Sequence, residues 1–472
     1  MSSDKTGNTN QGIPRIPMRN KINIRPCFPF CSRVPKEVIK FQERYNHIDC
    51  ILDENPKILE VVHSDLCRPC SATGRQSTFS SEQFLRMIVV KVIEGLSLRD
   101  VIIRVSDSDF LRNFTRIFSG KMMGFAELDT AIKNITPETW EKINTLLMGY
   151  AKRKKKISGK RLRVDSTVCE TNIHYPTDAS LLWDSFRVSS RLMTQIVSAE
   201  PVLSLGNRFH NKKAKRLYTI VSTQSGKKRN NRSVKRSMRK LIAKVEWICT
   251  IARQFIRNAD ERGVSSVEAL GLINQLRDKL PFMEQVAACA RRSSNGETVP
   301  ASDRIFSIFE PHTELLKRGK ARKPVEFGHM VTIGQTAEKF ISFYCVEEQS
   351  RHDVHVGDDA LRHHKNTFGA YPEEFSADKN YNGGAVHVEK WEKRISVYSV
   401  GKKGRRSEAE TEREHGLLFR LLQKFRAGVE GSISVLKRVF GLYRCLYHGF
   451  KSFASSIGST VFCHNLVVLS RL

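Results

Sequence analysis

The spacing of apolar residues changes along the chain, and the changes divide it. From Lys36 to Tyr150 apolar positions recur at helical spacing. Ser80-x-x-Gln83 reads as a capping box, with Phe84, Ile88 and Val92 following on one face. Gly95 interrupts, and LSLRDVIIRV restarts as a short helix with Ser97 as its N-cap. Helix, glycine turn and helix outline a helix-turn-helix, with Arg99 and Arg104 as its obvious DNA contacts; a plain helical hairpin fits the pattern equally. Thr136-Pro137-Glu138 opens another helix, with proline at its first position.

The spacing turns to that of a strand at RLRVDSTV, where Leu162, Val164 and Thr167-Val168 surround Asp165. Residues 185–300 return to a mainly helical pattern (Trp247, Ile248, Ile251, Phe255), and SSNGETVPASD is a turn-rich exit. RIFSIFE then predicts a short strand, and VEFGHMVTI with KFISFYCV a hairpin. A helix around Gly357–Asn366 follows, then a strand through EFSAD ending at Asp378. GGAVHVEKWEKR is helical, ISVYSV (395–400) is a final strand, and a long helix runs from Glu408 to about Phe440. No internal repeat is apparent.

The length of 472 residues predicts two or three domains. Charge sharpens the picture: 79 Lys and Arg against 49 Asp and Glu leave +30, a self-repulsion that a polyanion would relieve. Nucleic acid is the expected partner. The surplus is concentrated. Residues 151–163 hold eight basic side chains and no acid, leading into the Asp165 strand. Asn211 to Val245 holds 13, again with no acid, and includes Lys212, Lys213, Lys227, Lys228 and Arg229. These read as a nucleic-acid contact surface, with a solvated basic arm as the alternative.

No apolar run of membrane-spanning length is evident, and the N-terminus lacks the apolar stretch of a secretory signal. Residues 1–35, polar and proline-containing, read as a flexible arm. Eleven scattered cysteines suggest a reducing compartment, so the cytoplasm is expected. Cys27-x3-Cys31 and Cys67-x2-Cys70 resemble two halves of a zinc site, although ordinary free thiols are the plainer reading.

Asp165 stands in an apolar strand, where an unpaired charge costs several kcal/mol, about 3–5 by analogy with broken buried pairs. It therefore needs a partner or a cation. Asp378 in ADKNYNG and Glu430 in FRAGVEGSISVLKRVFG look like the other two parts of one device. Three carboxylates from separate elements can hold two hard divalent cations.

The order is strand with Asp, hairpin, helix, strand with Asp, helix, strand, long helix with Glu. It is that of the ribonuclease H-like arrangement, and the sequence resembles the DDE transposases of bacterial insertion sequences. RLRVDSTVCETNIHYPTDASLLWD, RIFSIFEPHTELLKRGKARKPVEFGH and GVEGSISVLKRVFGLYRCLYHG are similar to the ISNCY-type group, a likeness spanning most of the chain from about residue 35. Related enzymes carry Tyr-x2-Arg-x3-Glu-x6-Lys on the last helix. Arg426, Glu430 and Lys437 fit it, within roughly 40° on one helical face, whereas Gln423 replaces the tyrosine.

The resemblance implies an α/β fold with a mixed five-stranded ribonuclease H-like core (151–184 and 301–472). It implies a helical DNA-binding domain (36–150) and a basic helical insertion (185–300) after the first core strand. Asp165, Asp378 and Glu430 would be catalytic, holding two Mg²⁺ or Mn²⁺ ions about 4 Å apart, with Asp165 bridging. Arg426 and Lys437 would take backbone phosphates. The partners implied are double-stranded DNA, both element ends and target, and a second copy of the chain on that DNA, in the bacterial cytoplasm beside the nucleoid.

Other acids compete. Glu170 falls on the opposite face of the Asp165 strand, and Asp178 is expected to cap the following helix. RHDVHVGDDALRHH gathers four His and three Asp and is the main rival, as a separate metal site; a structural role is the preferred reading. Glu310-Pro311-His312 matches the family block without an evident chemical role.

Overall fold

Seven helices precede the first strand in the computed structural model, which describes residues 35–67, 78–118, 120–224, 232–317 and 324–472. They are α1 (Lys36–Asp53), α2 (Pro56–Leu66), α3 (Ser81–Ile93), α4 (Leu98–Ser106), α5 (Asp109–Phe114), α6 (Phe125–Asn134) and α7 (Pro137–Arg153). Ser80 and Gln83 cap α3 reciprocally, Ser97 accepts from the Asp100 amide at the start of α4, and Pro137 opens α7. The expected zinc ligands Cys27, Cys31 and Cys70, and the cations Lys227, Lys228 and Arg229, lie outside the described residues, as does the N-terminal arm to residue 34.

Strand β1 (Arg161–Thr171) is followed by α8 (Asp178–Ala199), α9 (Asn211–Gln224), α10 (Arg232–Arg262) and α11 (Val267–Ser294). Then come β2 (Glu314–Lys317), β3 (Val325–Thr336), β4 (Ile341–Val346), α12 (Asp353–Phe368), β5 (Glu374–Ala377), α13 (Ala385–Glu392) and β6 (Val397–Ser399). The chain ends with α14 (Glu408–His415), α15 (Leu417–Arg438), β7 (Arg444–Cys445) and α16 (Phe450–Leu469).

The fold is α/β, with one mixed seven-stranded sheet flanked by helices. Its order is β2-β3-β1-β5-β6, with β4 also beside β3 and β7 beside β1. The antiparallel members are β1, β2 and β4 against β3; β5 and β7 run parallel to β1, and β6 parallel to β5. Seven strands replace the five expected because β2 and β7, four and two residues long, are too short to leave an alternating pattern.

Three expectations are corrected. RIFSIFE is not a strand: the Ser307 hydroxyl accepts from the amides of Phe309 and Glu310, bending the chain, and Ile308 is buried against the α8–α11 core. Its apolar spacing marks burial, not pairing. The helix from Glu408 is two helices, because Gly416 leaves helical geometry at ψ 149°. Thr177, not Asp178, caps α8; Asp178 begins the helix and pairs with Arg304 at 3.0 Å.

One apolar core joins α1–α7 to α16 and to one face of β3 and β4, so the amino-terminal helices and the carboxyl-terminal helix share an interior. A second lies within α8–α11, and a third under β1, β5 and α12. Among the described residues α16 alone is long and apolar enough to cross a membrane, and it is mostly buried in the first core.

Candidate functional site

Side chains alternate across β1, so Leu162, Val164 and Ser166 share one face and Arg163 and Asp165 the other. Asp165 stands opposite Ile333 of β3. On the other side Val164 pairs with Ala377, the last residue of β5. Asp378 follows with extended backbone (φ −69°, ψ 158°), so it continues at the level of Asp165 on the next strand, about 4.8 Å away at ordinary strand spacing. Two carboxylates 213 positions apart in the chain thus become lateral neighbours on one sheet face. Asp378 then caps a 3₁₀ turn, Lys379–Tyr381, its Oδ1 accepting from the Lys379 amide at 2.8 Å.

Helix α15 lies across that face, held by β1, β3, β5 and β6. From β1, the buried Arg163 guanidinium donates to the Phe425 carbonyl at 2.8 Å and, through Nε, to Gln335 Oε1 at 3.0 Å. Gln335 Oε1 also accepts from the Ser432 hydroxyl of α15 at 3.0 Å. From β5, Ser376 Oγ donates to the Leu422 carbonyl at 3.0 Å. To β6, Gln423 Nε2 donates to the Ser399 carbonyl at 3.0 Å. Gln423 therefore serves as an anchor. The helix comes so close at Gly428 that a β-carbon there would overlap the Arg163 guanidinium. Burial lowers the Arg163 pKa to about 10.

This docking puts Arg426 above Asp165. Its guanidinium donates to Asp165 Oδ2 at 3.3 Å and to Glu430 Oε1 at 3.1 Å, so one cation bridges the first and third expected acids. Asp165 is 16% exposed and Glu430 62%. Lys437 lies half-buried further along α15, its charge felt at Cys169 of β1. Lys212 and Lys213 are exposed on α9, which packs against α8 and α10.

The donor set is all oxygen and suits a hard divalent cation. Asp165 and Asp378 fall side by side by register, and Glu430 is tied to Asp165 through Arg426. As they stand, no three His, Cys, Asp or Glu among the described residues converge to hold a metal ion.

Beneath the two aspartates lies a contact that sequence reasoning missed. Tyr381 Oη and Ser166 Oγ are 2.5 Å apart, and Ser166 Oγ is 2.8 Å from Thr332 Oγ1. Tyr381 closes the turn that Asp378 begins, and Ser166 follows Asp165. The only signal in the sequence was the tyrosine inside ADKNYNG.

The rival clusters are committed elsewhere. On α12, His364 is buried, with Nε2 2.8 Å from the Gly159 carbonyl, while His352 and His355 are exposed at the other end of the helix. Asp358 pairs with His387, and Asp359 with Arg351 and Arg362. Glu170 pairs with Arg444 at 2.8 Å. Glu310 is buried and joins His312 (2.8 Å), His448 (2.5 Å) and the Gly449 amide (2.9 Å). His312 Nδ1 is in turn 2.7 Å from His329 Nε2 of β3. This relay ties the segment before β2 to the start of α16.

Comparison of the chain with protein-family models, with curated proteins and with solved structures finds no match in any of the three.

Proposed function

We propose that the chain is a DDE-type DNA transposase that binds the ends of its own element, nicks the DNA to free 3′-hydroxyls and joins them to target DNA. The observation that carries this reading is the placement of Asp165 and Asp378 as neighbours on the sheet face covered by the Glu430 helix. The topology supports it: an antiparallel hairpin on one side of β1 and two parallel strands on the other follow a ribonuclease H-like order, elaborated by β2 and β7.

Asp165, Asp378 and Glu430 would hold Mg²⁺ or Mn²⁺, which when bound supplies Lewis-acid stabilisation of charge on phosphate oxygens. Arg426, released from the carboxylates, presents its planar fork to a backbone phosphate. Lys437 adds a second cation along the same helix. A second copy of the chain on the DNA follows from the same reading, since each element has two ends.

The test is strand cleavage and joining on duplexes made from the DNA flanking the gene, where this reading expects inverted repeats, with Mg²⁺ or Mn²⁺. Nicking at the repeat ends followed by joining is expected. A second reading, a sequence-specific DNA-binding repressor, is favoured by the Arg426 bridge, which pairs Asp165 and Glu430 with a cation in place of a metal. Specific binding with no cleavage under any divalent cation selects that reading instead.

A further inference from the structure

Helix α10 carries two different kinds of surface. Toward its carboxyl end the charges are used internally: Arg253 pairs with Glu284, Asp260 with Arg277 at 2.5 Å, and Glu246 with Arg291 of the neighbouring α11. Toward its amino end Arg232, Arg236, Arg239 and Lys240 are all exposed, and none makes an ion pair with a described residue. At about 100° per residue, Arg232, Arg236 and Arg239 fall within roughly 60° of each other. The opposite side buries Leu241, Val245 and Ile248 against α8 and α11, so this face cannot turn inward.

Stacked like charges at i, i+4 spacing destabilise a helix by a few tenths of a kcal/mol per pair, about 0.2–0.5. Among the described residues no acid pairs with Arg232, Arg236, Arg239 or Lys240. A second helix adds to the crowding: burial lowers the pKa of Lys244, and the charge of Lys213 on α9 lowers it further. A helix face that concentrates cations with no described acid beside them calls for a polyanion from outside.

We infer that the amino-terminal face of α10 is a binding surface for the phosphate backbone of duplex DNA. The inference rests on the reading of DNA as partner and assigns this surface a sequence-independent anchoring role, separate from the carboxylate site. Arg232 to Lys240 spans about 12 Å along the helix. That is the axial run of about three to four phosphates on one strand of B-DNA. Guanidinium forks matched to phosphates position a duplex without reading bases. An anionic membrane is the less suitable partner, because no large apolar side chain is exposed between Arg232 and Lys244 to enter the acyl boundary.

The experiment compares the full chain with the triple variant Arg236→Gln, Arg239→Gln, Lys240→Gln, binding a repeat-containing duplex and a scrambled duplex across a salt series. The expected result is a salt slope shallower by about 2.7, and affinity about 100-fold weaker at 0.15 M salt, equally on both duplexes. Arg236→Lys with Arg239→Lys should keep the slope, which separates lost charge from lost folding. Unchanged affinity and slope in the triple variant would overturn the inference. So would a loss of binding to phosphatidylserine vesicles with DNA binding intact. A wild-type chain that cleaves no DNA, yet shows the expected change in slope, refutes the transposase reading and leaves this surface standing.

Discussion

Tyr381 and Ser166 meet hydroxyl to hydroxyl at 2.5 Å, and the bond joins the turn that begins at Asp378 to the strand that carries Asp165. Both groups are buried, in a part of the sheet where an unmet hydroxyl has no water to turn to. The spacing of the two aspartates therefore depends on a polar contact on the other face of the sheet.

Tyr381→Phe removes that bond and keeps the ring. It should lower stability by about 1 kcal/mol. Single-turnover strand cleavage should slow while DNA affinity stays unchanged. Urea titration and a double-mutant cycle with Ser166→Ala check this. No coupling between the two positions would show that the contact does not set the site.

Gly428 is where α15 and β1 come closest, and the Arg163 guanidinium fills the space a methyl group would need. Gly428→Ala should destabilise the fold by about 1–3 kcal/mol, as other overpacked sites do. Arg163 cannot yield freely, being held by Phe425 and Gln335. Adding Arg163→Met should recover part of the loss by relieving the overlap. Denaturation midpoints of the two single variants and the double variant decide it; strictly additive losses would contradict the account.

Much of this arrangement was legible in the sequence. Asp165 stood out as a charge inside an apolar strand, and Arg426, Glu430 and Lys437 share a helical face by spacing alone. The Ser80–Gln83 capping box, the Ser97 N-cap and Pro137 marked helix starts correctly because those signals are local. What could not be read depends on tertiary partners. Arg163 looked like one more basic residue in a run of eight, and only packing makes it the clamp for α15. RIFSIFE, short and apolar, read as a strand, but Ile305, Ile308 and Phe309 pack on the α8–α11 core while Ser307 bends the chain. Strands β2 and β7 exist only because β3 and β1 offer them edges.

Acid should unfold the chain through its buried imidazoles. Burial holds His329, His364 and His464 down at about 4, with the neighbouring His312 charge adding to the shift at His329. Around His329 the facing groups are His312, Glu310 beyond it, and Glu314. Unfolded imidazoles take up protons near pH 6.5, whereas these do so only near 4. Between those values the unfolded chain binds more protons, so stability falls as pH drops from about 6.5 to 4. The loss is on the order of 3 kcal/mol per group at most. Glu310 acts the same way at lower pH: burial alone would raise its pKa, but hydrogen bonds from His312, the Gly449 amide and His448 outweigh it. Its contribution therefore disappears below its lowered value. Urea midpoints at intervals from pH 7.5 to 4 should decline across this window, and His329→Gln should flatten part of the decline. A flat profile would contradict the assignment.

The central claim is that Asp165, Asp378 and Glu430 chelate divalent metal beside bound DNA. Mn²⁺ binding followed by electron paramagnetic resonance, with the chain held on repeat-containing duplex, tests it most directly. The account predicts two tightly bound ions in the wild type, and loss of that binding in Asp165→Asn and Asp378→Asn, with Glu430→Gln losing one ion. Equal Mn²⁺ binding by wild type and all three variants, with the fold intact, would contradict it.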